Sequence, residues 1–167
     1  MELDRLNSLS NTELQRELSA CCGASVWVSE MMRFAPFGSE LAVFHASDAA
    51  WSSCKEKDWL EAFSHHPKIG DLEALRSRFA TTRHLAGAEQ ASVETASDEL
   101  LQSLKRRNEE YEKRFGFIFI VCATGKSADE MLRLLEQRIG NDRTTELMNA
   151  AAEQHKITTL RLKKLLA

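Results

Sequence analysis

Phe115-Gly116-Phe117-Ile118-Phe119-Ile120-Val121-Cys122-Ala123-Thr124-Gly125-Lys126-Ser127 is the stretch on which the fold turns. An apolar run followed by Gly-Lys-Ser and a helix invites the reading of a strand and a phosphate-binding loop. Such a loop needs glycines whose backbone amides wrap the phosphates. Its first glycine belongs at position 120, where Ile120 stands, and Gly116 comes four residues too early. No alternation of strands and helices supplies the parallel sheet that such loops need. Gly125-Lys126-Ser127 therefore reads as a turn and a helix N-cap, and nucleotide binding is set aside. The apolar run itself looks like a buried strand with no second strand to pair with it. An isolated strand leaves backbone donors and acceptors unsatisfied. Either helices and side chains satisfy them, or some of those groups face a ligand.

Outward from this run, helical periodicity dominates. Ser10-Asn11-Thr12-Glu13 and Ser127-Ala128-Asp129-Glu130 are capping boxes, each with a glutamate three residues after the serine. They predict helices over about 10–22, with Gly23 as a stop, and from 127 through Arg138, with Gly140 as terminator. Further helices are expected at 25–34, at 39–53 with Leu41, Phe44 and Trp51 among its apolar positions, and around 59–63, ended by His66-Pro67. Residues 35–38 read as a turn, and 72–85 as moderately helical. The longest convincing helix runs over about 96–114, with Leu100, Leu104, Tyr111 and Phe115 as its stripe. Asn108 falls on that stripe and reads as a buried tether for a neighbouring loop. Asn141 or Asp142 caps a last helix to the C-terminus. The expectation is an all-α fold over 1–167, a single compact multi-helix domain with one irregular apolar segment near 115–124.

A chain of 167 residues, 43% hydrophobic and 28% charged, is long enough to bury a real core. A net charge of −3 gives no basic footprint for nucleic acid. The apolar run is too short to span a bilayer, and the acidic start Met1-Glu2-Leu3-Asp4 lacks a signal-peptide pattern. The default is a cytoplasmic protein without membrane or nucleic-acid partners. Of the 4 cysteines, none forms a CxxC pair, and Cys21, Cys22, Cys54 and Cys122 read as buried thiols. His45, Cys54, His65 and His66 match no zinc spacing, so no metal is expected.

His65-His66-Pro67-Lys68-Ile69-Gly70 carries the chemistry. Proline fixes its own φ and drives the preceding residue out of the α region, so His66 is expected at a rigid kink. An imidazole held there suits proton transfer; the bland alternative is a favourable cation at a helix C-terminus. Some twenty residues on, Glu89-Gln90 sets a carboxylate beside a primary amide in an alanine-rich stretch. That pair could orient a small polar ligand or lie on a solvated helix face.

Taken in order, His66-Pro67-Lys68-Ile69-Gly70, Glu89-Gln90, Asn108 through Phe117, Phe119 through Ser127, Arg138 with Asn141, and Lys156 through Leu162 resemble the 2-oxo-4-hydroxy-4-carboxy-5-ureidoimidazoline (OHCU) decarboxylase family. The resemblance covers nearly the whole chain. It implies an all-helical, cofactor-free carboxy-lyase, usually a homodimer. Such an enzyme converts OHCU to (S)-allantoin and carbon dioxide in urate degradation. It implies His66 as catalytic acid, with Glu89 beside it holding the His66 tautomer or binding the ureido group. It also implies Pro67, Gln90, Phe119, Ile120, Val121, Cys122, Ala123 and Arg161 as substrate contacts. Ala86 occupies the family's serine position in SxxEQ, so that hydroxyl contact is missing or comes from elsewhere.

Loss of carbon dioxide leaves an electron pair delocalised into the ring, and a fixed donor must protonate one face. An imidazole with an unperturbed pKa of about 6.5 suits that task. Backbone amides of the apolar run could stabilise the developing charge, and the Arg161 guanidinium offers a planar fork for a carboxylate or carbonyl. The rival from another class is a helical interaction module that has lost catalysis, which Ala86 alone favours.

Overall fold

The computed structural model describes residues 2–66 and 97–167. Among them are eight helices and no strand: α1 (Leu3–Asn7), α2 (Asn11–Cys21), α3 (Ser25–Phe34), α4 (Glu40–Ser53), α5 (Glu56–Ser64), α6 (Asp98–Phe115), α7 (Ala128–Arg138) and α8 (Arg143–Leu166). The fold class is all-α. The helix expected at 72–85 lies outside the described residues. The chain divides into two compact units, Met1–His66 with Ala150–Ala167, and Pro67–Asn149.

In the first unit, α2 starts where its capping box places it. The Ser10 hydroxyl accepts from Glu13 N at 3.4 Å, and the Glu13 carboxylate accepts from Ser10 N at 2.9 Å. α3 packs against α2, α4 and α5, and fully buried Trp27 on α3 donates its indole N–H to the Ser47 carbonyl at 3.3 Å. Leu14, Leu18, Met31, Val43, Ala46, Ala50 and Phe63 complete this core. On α4 the buried positions fall three and four residues apart, from Val43 through Ala46 and Ser47 to Ala50 and Trp51. Leu41 lies off that face and is 62% exposed. The turn at 35–38 is held by Asn7, whose amide donates to the Phe37 carbonyl at 2.8 Å and accepts from Phe37 N at 2.9 Å.

In the second unit, α6 packs against α7. The buried stripe of α6 is Leu101, Leu104, Tyr111 and Phe115; Leu101 replaces the expected Leu100, which is half-buried. Asn108 is not a tether to a loop. It is half-buried and donates to the Leu104 carbonyl of its own helix at 2.8 Å, a back-bond that short polar side chains commonly make. Gly116 ends α6 at φ +81°, donating to the Glu112 carbonyl at 2.8 Å, a conformation open to glycine at little cost.

Beyond it the apolar run is irregular, as expected, yet it keeps a strand-like alternation. Phe117 and Phe119 both turn toward Tyr111, with ring centroids 6.0 and 5.2 Å away. Gly125 (φ +76°) makes the following turn. Lys126 Nζ donates to the Cys122 carbonyl at 2.8 Å, and Ser127 caps α7 in its capping box. Gly-Lys-Ser is a turn and a cap.

Candidate active site

α5 is what delivers His66. Buried Asp58 accepts from Lys55 N at 2.8 Å and so caps the helix start. The last turn is tight, with His65 N donating to Ala62 O at 3.3 Å and His66 N to Phe63 O at 3.1 Å. Glu61 on the same helix caps α3, accepting from Ser25 N at 3.0 Å and from the Ser25 hydroxyl. Those bonds, the hydroxyl first, and the nearby His65 hold the Glu61 carboxyl below the usual carboxylate range. Position 23 has to be a glycine for this packing. A Cβ there would lie 2.4 Å from His65 Cγ and 2.7 Å from His65 Cβ, atoms too near the backbone to swing aside.

The His66 ring meets α8. Its Nε2 lies 2.6 Å from Oε1 of Gln154, which is fully buried. Gln154 Nε2 donates to Thr158 Oγ1 at 3.3 Å, and the Thr158 hydroxyl donates to the Gln154 carbonyl at 3.1 Å. Arg161 follows Thr158 by three residues on α8, and its Nη1 donates to the Cys21 and Ala20 carbonyls at 3.2 and 3.4 Å. A cation on the last carbonyls of α2 is favourable there.

Gln154, Thr158 and Arg161 recur at intervals of four and three on α8, hence on one helix face. His66 and Arg161 are thereby tied to the same face about 10 Å apart along the helix axis. Sequence reasoning missed Gln154 and Thr158. Their signal was the one used for Asn108, polar residues on an apolar stripe, here among Ala150, Ala151 and Leu162.

The second unit holds Phe119 through Ala123. Phe119 and Ile120 are buried, and Val121, Cys122 and Ala123 are half-buried. Carbonyls of the run are met by side chains and by the following turn. Arg138 Nη1 donates to Ile120 O at 2.7 Å, Lys126 Nζ to Cys122 O at 2.8 Å, and Lys126 N to Ala123 O at 3.1 Å. Among the described residues, the backbone N–H groups of Phe119, Ile120, Val121 and Ala123 donate no hydrogen bond.

Arg138 is itself fixed, its guanidinium 4.7 Å from the Phe119 ring centroid and paired with fully buried Glu146 through Nε at 2.7 Å and Nη2 at 2.5 Å. Glu146 also accepts from the Tyr111 hydroxyl, and from Asn141 Nδ2 at 2.9 Å. Burial, then the bond to Glu146, drives the Tyr111 phenol far above its ordinary pKa.

Pro67, Ala86, Glu89 and Gln90 lie outside the described residues. Cys21, Cys22 and Cys54 are buried as expected, and desolvation pushes the Cys21 thiol up to about 11 and Cys54 to about 12. Thiols so shifted are poor nucleophiles at neutral pH; Cys122 is half-buried. Among the described residues no group of three or more His, Cys, Asp or Glu side chains gathers as a metal site. Nor is any described helix long and apolar enough to cross a membrane.

Among the described residues, an all-helical fold with an imidazole seated on a buried amide, and an apolar loop with backbone N–H groups that donate no hydrogen bond, defines a class of small helical proteins. The chain belongs to the OHCU decarboxylase family, whose model matches residues 7–163. It is 41% identical over 151 residues to the uric acid degradation bifunctional protein TTL of Arabidopsis thaliana, covering 89% of this chain and 46% of that protein. It is 27% identical over 165 residues to the 2-oxo-4-hydroxy-4-carboxy-5-ureidoimidazoline decarboxylase of Haloferax volcanii, covering 97% of this chain and 94% of that one. The chain thus spans about half the length of the Arabidopsis relative and nearly all of the archaeal one.

Among solved structures, an OHCU decarboxylase crystallised in the presence of (S)-allantoin superposes with a TM-score of 0.72 at 36% identity, covering 90% of this chain and 96% of that chain. An (S)-allantoin synthase matches with a TM-score of 0.74 at 17% identity, over all of this chain and 54% of that one, a likeness of fold alone.

Proposed function

We propose that this chain catalyses the cofactor-independent loss of carbon dioxide from OHCU to give (S)-allantoin, a carboxy-lyase reaction in urate degradation. The observation that carries the reading is the imidazole of His66, held 2.6 Å from a fully buried amide in a chain of this family. When the carbon–carboxylate bond breaks, its electron pair stays on the ring system, and the product's stereocentre is set by one proton arriving on one face. A donor fixed by a buried partner delivers from one direction.

His66 is the general acid in this reading. Glu89 orients it or binds the ureido group, and Pro67, Gln90 and the position of Ala86 contact the substrate. Backbone N–H groups of Phe119, Ile120, Val121 and Ala123, which have no acceptor among the described residues, support a role in binding ring carbonyls and developing negative charge. Cys122 belongs to the same contact stretch. Arg161 adds cationic attraction for the substrate carboxylate from guanidinium N–H groups other than those on α2. A cytoplasmic homodimer completes the proposal, and its mass in solution can be read by sedimentation.

The deciding experiment mixes fresh OHCU with the protein and follows (S)-allantoin by circular dichroism. OHCU decays unaided, so rate and chirality are read together. An (S) excess above buffer is expected; a racemic product at the buffer rate would sink the reading.

A further inference from the structure

The donor and acceptor roles around Gln154 follow from the placement of its amide against Thr158. Thr158 has one hydroxyl hydrogen, and it goes to the Gln154 carbonyl at 3.1 Å. Toward the Gln154 side chain at 3.3 Å, Thr158 Oγ1 can therefore only accept, so the amide nitrogen must face it. The amide oxygen is left facing His66 Nε2 at 2.6 Å, and an amide oxygen only accepts. His66 Nε2 must then carry a hydrogen.

Gln154 and Thr158 are both fully buried, so their polar groups depend on one another and on His66 for partners.

We propose that Gln154 is the positioning residue of the candidate acid, holding His66 permanently as the Nε2–H form so that the proton given to substrate leaves from Nδ1. The inference rests on the acid role of His66 above and deepens it. The imidazolium loses its Nδ1 proton to the ring carbon that receives it, and the neutral Nε2–H tautomer remains. The reaction consumes one proton per carbon dioxide released, and solvent restores it to Nδ1. A neutral amide fixes the tautomer without adding a charge that would hold the imidazolium proton back.

The test is long-range proton–nitrogen NMR on the full chain labelled with 15N-histidine, the His66 signals being assigned by their loss in His66→Asn. Neutral His66 is expected to show a protonated Nε2 and a bare Nδ1. In Gln154→Leu this preference should give way to a mixture of tautomers, with kcat down about tenfold and KM changed less. Gln154→Glu keeps an acceptor in place and should restore the Nε2–H form. Should Gln154→Leu fail to fold, Thr158→Val releases the amide to turn over and should dilute the Nε2–H form in the same way.

A dominant Nδ1–H tautomer in the native protein would overturn the proposal, as would an unchanged tautomer in both variants. An active His66→Asn enzyme overturns the acid role instead, and with it the exit of the proton from Nδ1. The tautomer spectrum, which needs no turnover, tells the two failures apart.

Discussion

The two units bury polar groups by opposite means. In the first, a neutral relay of Thr158 and Gln154 ends on one titratable ring, His66. In the second, a charged cluster of Arg138, Glu146, Tyr111 and Asn141 ends on a backbone carbonyl, that of Ile120. Buried charge is strongly held once paired but must stay paired, because one partner alone is an uncompensated ion. Neutral dipoles contribute less each, and they leave a neighbouring imidazole able to gain and lose a proton. The cluster suits a loop held in one place; the relay suits the proton-transfer role proposed for His66.

The largest expected effect breaks the relay at its functional end. His66→Asn should lower the enzymatic formation of (S)-allantoin by about 10²–10⁴-fold, the usual range for a general acid or base, with the helical circular dichroism spectrum unchanged. A turnover rate within a few-fold of the native one would mean that the relay serves folding only.

Next comes the cluster. Glu146→Gln leaves the Arg138 guanidinium without its anion and should destabilise the fold by about 3–5 kcal/mol, read as a lower urea midpoint. If Glu146→Gln proves as stable as the native protein, the contrast between the units is wrong.

Thr158→Val removes a single neutral link of the relay and should cost only about 1 kcal/mol in the same measurement. A loss as large as that of Glu146→Gln would erase the distinction between charged and neutral burial.

The smallest effect lies at Glu61. Its carboxyl is depressed in the folded protein, chiefly by the Ser25 hydroxyl. Its contribution is therefore complete above the unfolded carboxylate pKa of about 4.3, and it is lost as pH falls through the lower folded value. Glu61→Gln should flatten that part of the acid-side stability curve. An unaltered slope below pH ~4 would show that this cap carries no proton linkage.

What the sequence disclosed sorts by range of interaction. The capping boxes at Ser10 and Ser127 were legible because donor and acceptor lie three residues apart. The irregularity of the run through Phe119 was legible because the sequence offers no clear second strand to pair with it. Asp142, one of two expected caps for α8, does cap it, accepting from Thr145 N at 2.9 Å. α1 escaped notice because Leu3–Asn7 is too short to show a period.

Leu100 and Leu101 were exchanged because adjacent leucines leave the phase of a stripe undetermined. The partners of His66 were illegible for a different reason. His66 and Gln154 are separated by 88 positions, and the apolar stripe that marks Gln154 as inward-facing does not name the ring it meets. The candidate site was visible as residue types and invisible as contacts.

Gly23 gives the helix-to-ring geometry a reference point made of empty space. With no side chain there, the imidazole preceding His66 rests directly on main chain, so the end of α5 is indexed against rigid backbone instead of a rotatable group. Angular play at this pivot is small, and the ring one residue further on inherits that accuracy. One methyl group added at position 23 would thus act like a shim under a hinge, tilting the proposed proton donor without touching its ring.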